Sequence, residues 1–271
     1  MAELTWNRYG KSSVRLVKVR RSADPHEIVD LTIDVSLEGA FDKVYTEGDN
    51  AECLATDTMK NTVYAFAKAD PIDHVEAFAS RLVEYFSEKA GVSLARVHAA
   101  EHPWRRLHAH AFAREGGEEW TATVTCQDDK TSIASGLRGL VVLKTTDSAF
   151  SGFPRDQYTT LPDTRDRILA TSITATWNYA DGFQDFGKRS AVRAALLDTF
   201  AAHKSESVQQ TLYVMGKAAL AACDGIVDIQ IALPNRHHLL VDLSPFGLEN
   251  RNEIFVATEQ PYGLIEARIS R

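Results

Sequence analysis

The sequence predicts an α+β fold in which antiparallel sheet carries helices on one face. Leu31, Ile33, Val35 and Leu37 alternate with Thr32, Asp34, Ser36 and Glu38, which gives a strand with one apolar and one wet face. Ile72, Val75, Ala79, Leu82 and Phe86 recur instead at helical spacing. Strand-like runs outnumber helical ones, and helices fall between pairs of strands rather than after each strand, which argues against a βαβ sheet.

Taken in order, Tyr9-Gly10-Lys11 precedes a first strand over Val14–Val19, which pairs with the Leu31 strand across a loop at Asp24-Pro25. Ala55–Thr62 leads into an apolar strand. Asp70 and Pro71 supply an N-cap and a first-turn proline for the helix that Gly91 ends. Strands follow at Leu107/Ala109/Ala111, Trp120/Ala122/Val124/Cys126, Leu169/Thr171/Ile173/Ala175/Trp177 and Val227/Ile229/Ile231/Leu233. A second helix carries Val192, Ala195, Leu196, Thr199 and Phe200. A third opens with the capping-box spacing Ser207-x-x-Gln210 and closes at Gly225. The same element order in both halves suggests a duplication joined near Ser135-Gly136, that is, halves of 1–136 and 137–271. Thr145–Asp166 shows no periodicity, and a loop of that length in a compact domain is usually functional.

Composition excludes several classes of function. The 271 residues include 44% hydrophobic and 25% charged, with no apolar run near the ~20 residues of a membrane span. A formal charge of −7 without a basic patch argues against nucleic acid, so an anionic ligand must be held by a few placed groups. The first residues, from Met1 to Arg8, lack a secretory pattern, and Cys53, Cys126 and Cys223 are odd in number and far apart. They read as three buried, inert thiols in a reducing compartment.

Four motifs are weak or missing. His108-x-His110 puts two imidazoles on one strand face without a third ligand, so no metal is assigned. His102-Pro103-Trp104 with Arg105-Arg106 reads as a turn with an aromatic plug in preference to a nucleotide grip. No dinucleotide or phosphate loop occurs, and no Gly-x-Ser-x-Gly elbow.

What remains is a dispersed series of polar strings at the ends of elements: Tyr9-Gly10-Lys11, Ala55-Thr56-Asp57-Thr58-x-Lys60-Asn61-Thr62, Phe150-x-Gly152-Phe153, Arg155-Asp156-x-Tyr158-Thr159-Thr160-Leu161, Asp166-Arg167 opening a strand, Ser207-Val208-Gln209, and Leu233-Pro234-Asn235-x-His237 as a hairpin turn. In this order, from Tyr9 to Gly263-Leu264-Ile265, they resemble the urate oxidase family. Singly each has a bland reading: Phe150 plugs a core, Gln209 caps a helix, Arg167 ends a strand, Lys11 is a solvated surface group and Pro234-Asn235 is turn chemistry.

The resemblance implies the tunnelling fold, with two α+β halves per chain, paired chains closing an antiparallel barrel, and two barrels stacked as a homotetramer. It also implies oxidation of urate by O₂ and water to 5-hydroxyisourate and hydrogen peroxide without cofactor or metal, at sites between subunits. Phe150 then stacks on urate, Arg167 offers its planar fork to one edge, and Gln209 with the Val208 backbone holds another at a helix start. Lys11 and Thr56 form a proton relay extending to His237, in which a neutral amine accepts a proton through the hydroxyl. Asn235 and Thr56 flank the oxygen site, and Asp57 orients Thr56 and meets urate through its backbone. The ending Ile269-Ser270-Arg271 lacks a Ser-Lys-Leu type address, which points to the cytoplasm. A zinc-dependent purine or pterin enzyme of the same fold and a purine-binding protein without turnover are the alternatives. Isolated cysteines weigh against the first, and intact Lys11, Thr56 and His237 against the second.

Overall fold

A computed structural model describes residues 2–22, 24–69, 71–114 and 116–271. The chain divides into two compact units, residues 1–137 with 177–187, and residues 138–176 with 188–271. Both are built as antiparallel sheet plus helices.

In the first unit the strands are β1 (Tyr9–Arg20), β2 (Glu27–Gly39), β3 (Val92–Glu101), the short hairpin β4 (Arg105–His108) and β5 (Ala111–Ala113), β6 (Glu119–Gln127), and the start of β7 (Lys130–Lys144). The main sheet runs β1-β2-β3-β6-β7. A five-residue α1 (Asp42–Thr46) precedes α2 (Thr56–Ala69) and α3 (Val75–Ser87). Leu31, Ile33, Val35 and Leu37 are buried on one face of β2, as their alternation requires. They pack with Phe78, Ala79, Leu82, Val83 and Phe86 of α3 and with Met59 and Val63 of α2 in one core.

The second unit holds the end of β7, most of β8 (Leu169–Tyr179), β9 (Ile226–Leu240) and β10 (Phe255–Ser270), with α4 (Arg189–Ala202) and α5 (Val208–Ala222). Val192, Leu196 and Phe200 of α4 and Leu212, Met215 and Ala219 of α5 are buried, as are Ile229, Ile231 and Leu233 of β9. Gly216 lets α5 approach β10, because a Cβ there would lie 2.7 Å from Ile269 Cδ1.

Several expectations need correction. Thr56–Ala69 is a helix, not the approach to a strand: Met59, Thr62, Val63 and Ala67 share its buried side, a helical spacing hidden inside the short run from Val63 to Ala67. Tyr9-Gly10-Lys11 lies inside β1 instead of before it. α3 starts at Val75, since Ile72 has φ +57 and interrupts any helix through Pro71, while Asp70 lies outside the described residues. α5 stops at Ala222, because Cys223 is already extended, rather than at Gly225. Leu107–Ala111 crosses the β4–β5 hairpin, with Leu107 in β4, the turn at residues 109–110 and Ala111 in β5, instead of forming one strand. β8 begins at Leu169, two residues beyond Arg167. Leu233–His237 runs within β9, where Asn235 opposes Gly263 and His237 opposes Thr258. Strands β3, β7 and β10 were not anticipated, and Ser135-Gly136 falls inside β7. Of the cysteines, Cys223 is buried but Cys53 and Cys126 are half-buried.

A buried carboxylate links three segments of the first unit. Asp30 accepts from Arg15 and, at 2.9 Å, from Trp104 Nε1, so Trp104, exposed and not the plug expected, is held by a polar bond. Burial alone would raise the Asp30 pKa, but the Arg15 and Trp104 bonds outweigh it and hold the carboxyl below its ordinary value. A depressed carboxylate contributes stability fully above the unfolded value of about 3.9 and loses it as pH falls through the folded value. Asp30→Ala is expected to cost about 2–3 kcal/mol in urea unfolding at pH 7, with the deficit narrowing below about pH 4. A pH-independent deficit would show that packing, not charge, is lost.

Candidate active site

The first unit brings Lys11, Thr56 and Asp57 together. Helix α2 lies along β1 in the same direction: Lys18 Nζ donates to Ala67 O at 2.7 Å, and the Tyr64 hydroxyl donates to Arg15 O at 3.4 Å. Toward the helix start, Lys11 is near enough to Asp57 to lower its carboxyl pKa, which places the amine at the same end of α2 as Thr56. Gly10 sits where a Cβ would be 1.9 Å from Val35 O, so β1 and β2 touch closely just before Lys11. A bulge follows between Lys11 and Val14, in which Ser13 takes φ +58 and its amide donates to Asp34 Oδ1 at 2.6 Å. Lys11 and Thr56 are both half-buried.

The Asp57 carboxylate takes a bond from Lys60 and one from Asn61 Nδ2 at 2.9 Å, both on its own helix, which leaves its backbone amide at the helix start for a ligand. The Lys60 bond is the main reason its pKa is lowered, and Lys11 contributes to the same field. Asp57 stays ionised and exposed at the start of α2, where a carboxylate suits the helix dipole.

The second unit gathers Phe150, Arg167, Val208, Gln209, Asn235 and His237 at one end. The loop 145–166 is ordered by two isolated bridges. Ser148 pairs with Ser205, through Ala149 N to Ser205 O at 2.7 Å, which ties the loop to the entrance of α5. Phe150 and Thr164 exchange backbone bonds of 2.7 and 2.9 Å, which returns the chain toward Arg167. The Arg167 guanidinium carbon lies 5.5 Å from the Phe150 ring centroid, and Phe153 stacks on Phe150 at 4.9 Å with an 11° tilt. Ser205 Oγ donates to Ser207 O and accepts from Thr211 Oγ1 at 2.8 Å, fixing the turn before the helix.

Helix α5 starts as the capping spacing predicts: Ser207 Oγ accepts from Gln210 N at 3.1 Å, although Gln210 Oε1 accepts from Glu206 N in place of the Ser207 amide. Val208 is buried and Gln209 exposed. A 15-residue helix rises about 22 Å, a span that a returning strand covers in roughly seven residues. Gly216 lies over Ile269, which pairs with Ile229, so the start of α5 comes abreast of residues near Leu233. Asn235 and His237 continue the face of Ile231 and Leu233 just beyond it. Thr171 Oγ1 donates to Pro234 O at 2.9 Å and brings the start of β8, and hence Arg167, to the same end.

This end is suited to a planar anion. Arg167 Nε is buried with no partner among the described residues, and burial lowers the guanidinium pKa. A desolvated cation, an aromatic ring and the unpaired amides of a helix start each favour a flat, negatively charged guest. Residues that the sequence did not single out for a role are Phe153, Ser205, Thr171 and Thr211, whose signal is three-dimensional. His108 and His110 have ring centroids 5.4 Å apart on the β4–β5 hairpin, not on one strand face. Among the described residues, no group of three or more His, Cys, Asp or Glu is placed to hold a metal ion. No helix among them is long and apolar enough to cross a membrane.

Antiparallel sheet with its helices paired in this way is the tunnelling fold, and solved structures bear this out. The crystal structure of uricase from Arthrobacter globiformis superposes with a TM-score of 0.96, covering 100% of this chain and 96% of that one at 47% identity. Urate oxidase from Bacillus sp. TB-90 shares the fold with a TM-score of 0.86 at 21% identity, over 98% of this chain and 100% of that one. In sequence, the Arthrobacter globiformis uricase is 48% identical over 98% of this chain and 89% of its own length, and the Aspergillus flavus uricase 38% identical over 97% and 95%. The family model described as Uricase matches twice, at residues 7–132 and 133–266. The chain belongs to the uricase family.

Proposed function

We propose that the protein is a cofactor-independent urate oxidase. It converts urate, O₂ and water to 5-hydroxyisourate and hydrogen peroxide, which balances as one two-electron oxidation of the purine with reduction of O₂. The observation that carries the reading is the half-buried Arg167 fork beside the Phe150 ring at the entrance of α5, in a chain of this family. Urate is mostly a monoanion at neutral pH. Phe150 stacks on it, Arg167 grips one edge, and Val208 N with the Gln209 side chain holds another.

Chemistry then requires removal of a second proton, because the resulting dianion is electron-rich enough to pass an electron directly to O₂. Lys11 takes that proton through the Thr56 hydroxyl, with His237 extending the relay, and Asn235 with Thr56 supports the oxygen species above the ring. The binding residues and the base belong to different units. We assign the complete site to a subunit boundary, with Lys11, Thr56 and Asp57 from one chain and the clamp from another.

In support of a homotetramer of two barrels, β1 and β10 are the outermost strands of their units and expose Val17, Val19, Val256, Tyr262 and Leu264. A duplication into halves 1–136 and 137–271 is supported by the twofold match of the family model. The three free cysteines favour the cytoplasm.

The test is oxygen uptake with urate by protein dialysed exhaustively against chelator. Uptake with one peroxide released per urate is expected. Loss of activity on chelation, restored by zinc, would favour the metal-dependent alternative, and tight urate binding without uptake would leave only a purine-binding protein.

A further inference from the structure

We propose that Tyr9 is a positioning residue for this reaction: its hydroxyl holds the chain ahead of α2 against β1, so that the Thr56 hydroxyl keeps a fixed separation from the Lys11 amine. The inference rests on the relay assigned to Lys11 and Thr56 above. Tyr9 and Lys11 are two residues apart on β1 and so share a face. The Tyr9 ring stands edge-on to buried Phe41, with centroids 4.9 Å apart and planes at 88°. From that seat its hydroxyl accepts from Leu54 N at 3.0 Å, with the Cys53 thiol close enough to act on its pKa. Leu54 is two residues before Thr56, where the helix begins.

The path from one reacting group to the other is therefore short and stiff. It runs two residues from Thr56 to Leu54, across one hydrogen bond to Tyr9, and two residues along β1 to Lys11. Gly10, pressed against the Val35 carbonyl, keeps that strand segment from shifting, and the Ser13 bulge fixes it on the far side. Burial and then the neighbouring Cys53 thiol push the Tyr9 pKa up to about 12, so the hydroxyl remains neutral and keeps its bond to Leu54 throughout the working pH range. It fixes geometry and carries no proton. Placement errors of about an ångström cost on the order of a hundredfold in rate, and loss of a single neutral bond allows part of such a shift.

Tyr9→Phe retains the ring on Phe41 and removes only the hydroxyl. The expected result is a roughly tenfold fall in kcat with KM for urate within twofold, together with faster amide exchange at Leu54 and unchanged exchange in β2 and β3. Unchanged kcat would overturn the proposal, and so would a rise in KM with kcat intact, which would place the hydroxyl in binding. Should the variant fold poorly, exchange in the wild-type protein decides: a Leu54 amide exchanging at the unprotected rate means that the hold does not exist. A wild-type protein that consumes no O₂ with urate would instead sink the reading of the function, whereas an active wild type beside an equally active Tyr9→Phe sinks only the role of Tyr9.

Discussion

Replacing Lys11 by alanine lowers kcat for urate oxidation by about a hundredfold to ten-thousandfold, the range that a placed general base contributes. KM changes little, because urate is held by the Phe150, Arg167 and Gln209 clamp and not by the amine. Stability changes little too: Lys11 is half-buried on an outer strand, and neither Gly10 nor the Ser13 bulge depends on its side chain. A variant within threefold of wild type in kcat would remove Lys11 from the mechanism. A tenfold rise in KM with normal kcat would make it a binding residue.

The sheet was legible where one face is dry and the other wet. Leu31 to Leu37 in β2 and Ile229 to Leu233 in β9 alternate cleanly because helices cover only one side of each strand. Helix α3 was legible for the matching reason, a single buried face. Helix α2 was not: its buried positions begin at Met59, within a string of polar residues, and Val63–Ala67 is too short an apolar run to separate helix from strand. The segment at Asn235 misled in the opposite direction. Pro234 and Asn235 are turn formers, yet Pro234 sits in β9 with its carbonyl taken by Thr171, a bond between residues 63 apart in sequence.

The site was legible as residue types and not as a place. Its strings name Phe150, Arg167, Gln209 and Asn235, but their meeting depends on the Ser148–Ser205 bridge, the Phe150–Thr164 pair and the register of α5 on β10. None of these leaves a local pattern. At Asp57 the helix adds what the string does not show, since Lys60 and Asn61 one turn on take both of its carboxylate oxygens.

Arg167→Ala raises KM for urate on the order of a hundredfold. A bond to a charged partner contributes about 1.5–3 kcal/mol, and a forked pair that excludes water reaches the upper end of that range or slightly beyond. The same substitution leaves thermal stability level or slightly higher. Arg167 is desolvated, its Nε has no partner among the described residues, and its guanidinium lies over the Phe150 ring, so the folded protein without ligand gains little from the charge. Arg167→Lys keeps a cation but replaces the planar fork by a point charge, and recovers less than half of the lost binding free energy. A Tm drop of several degrees with KM unchanged would make Arg167 a packing residue. Raised KM without loss of stability is the signature of a group kept strained for its ligand, and it locates the binding energy of the planar anion at the junction of the Phe150 loop, β8 and α5.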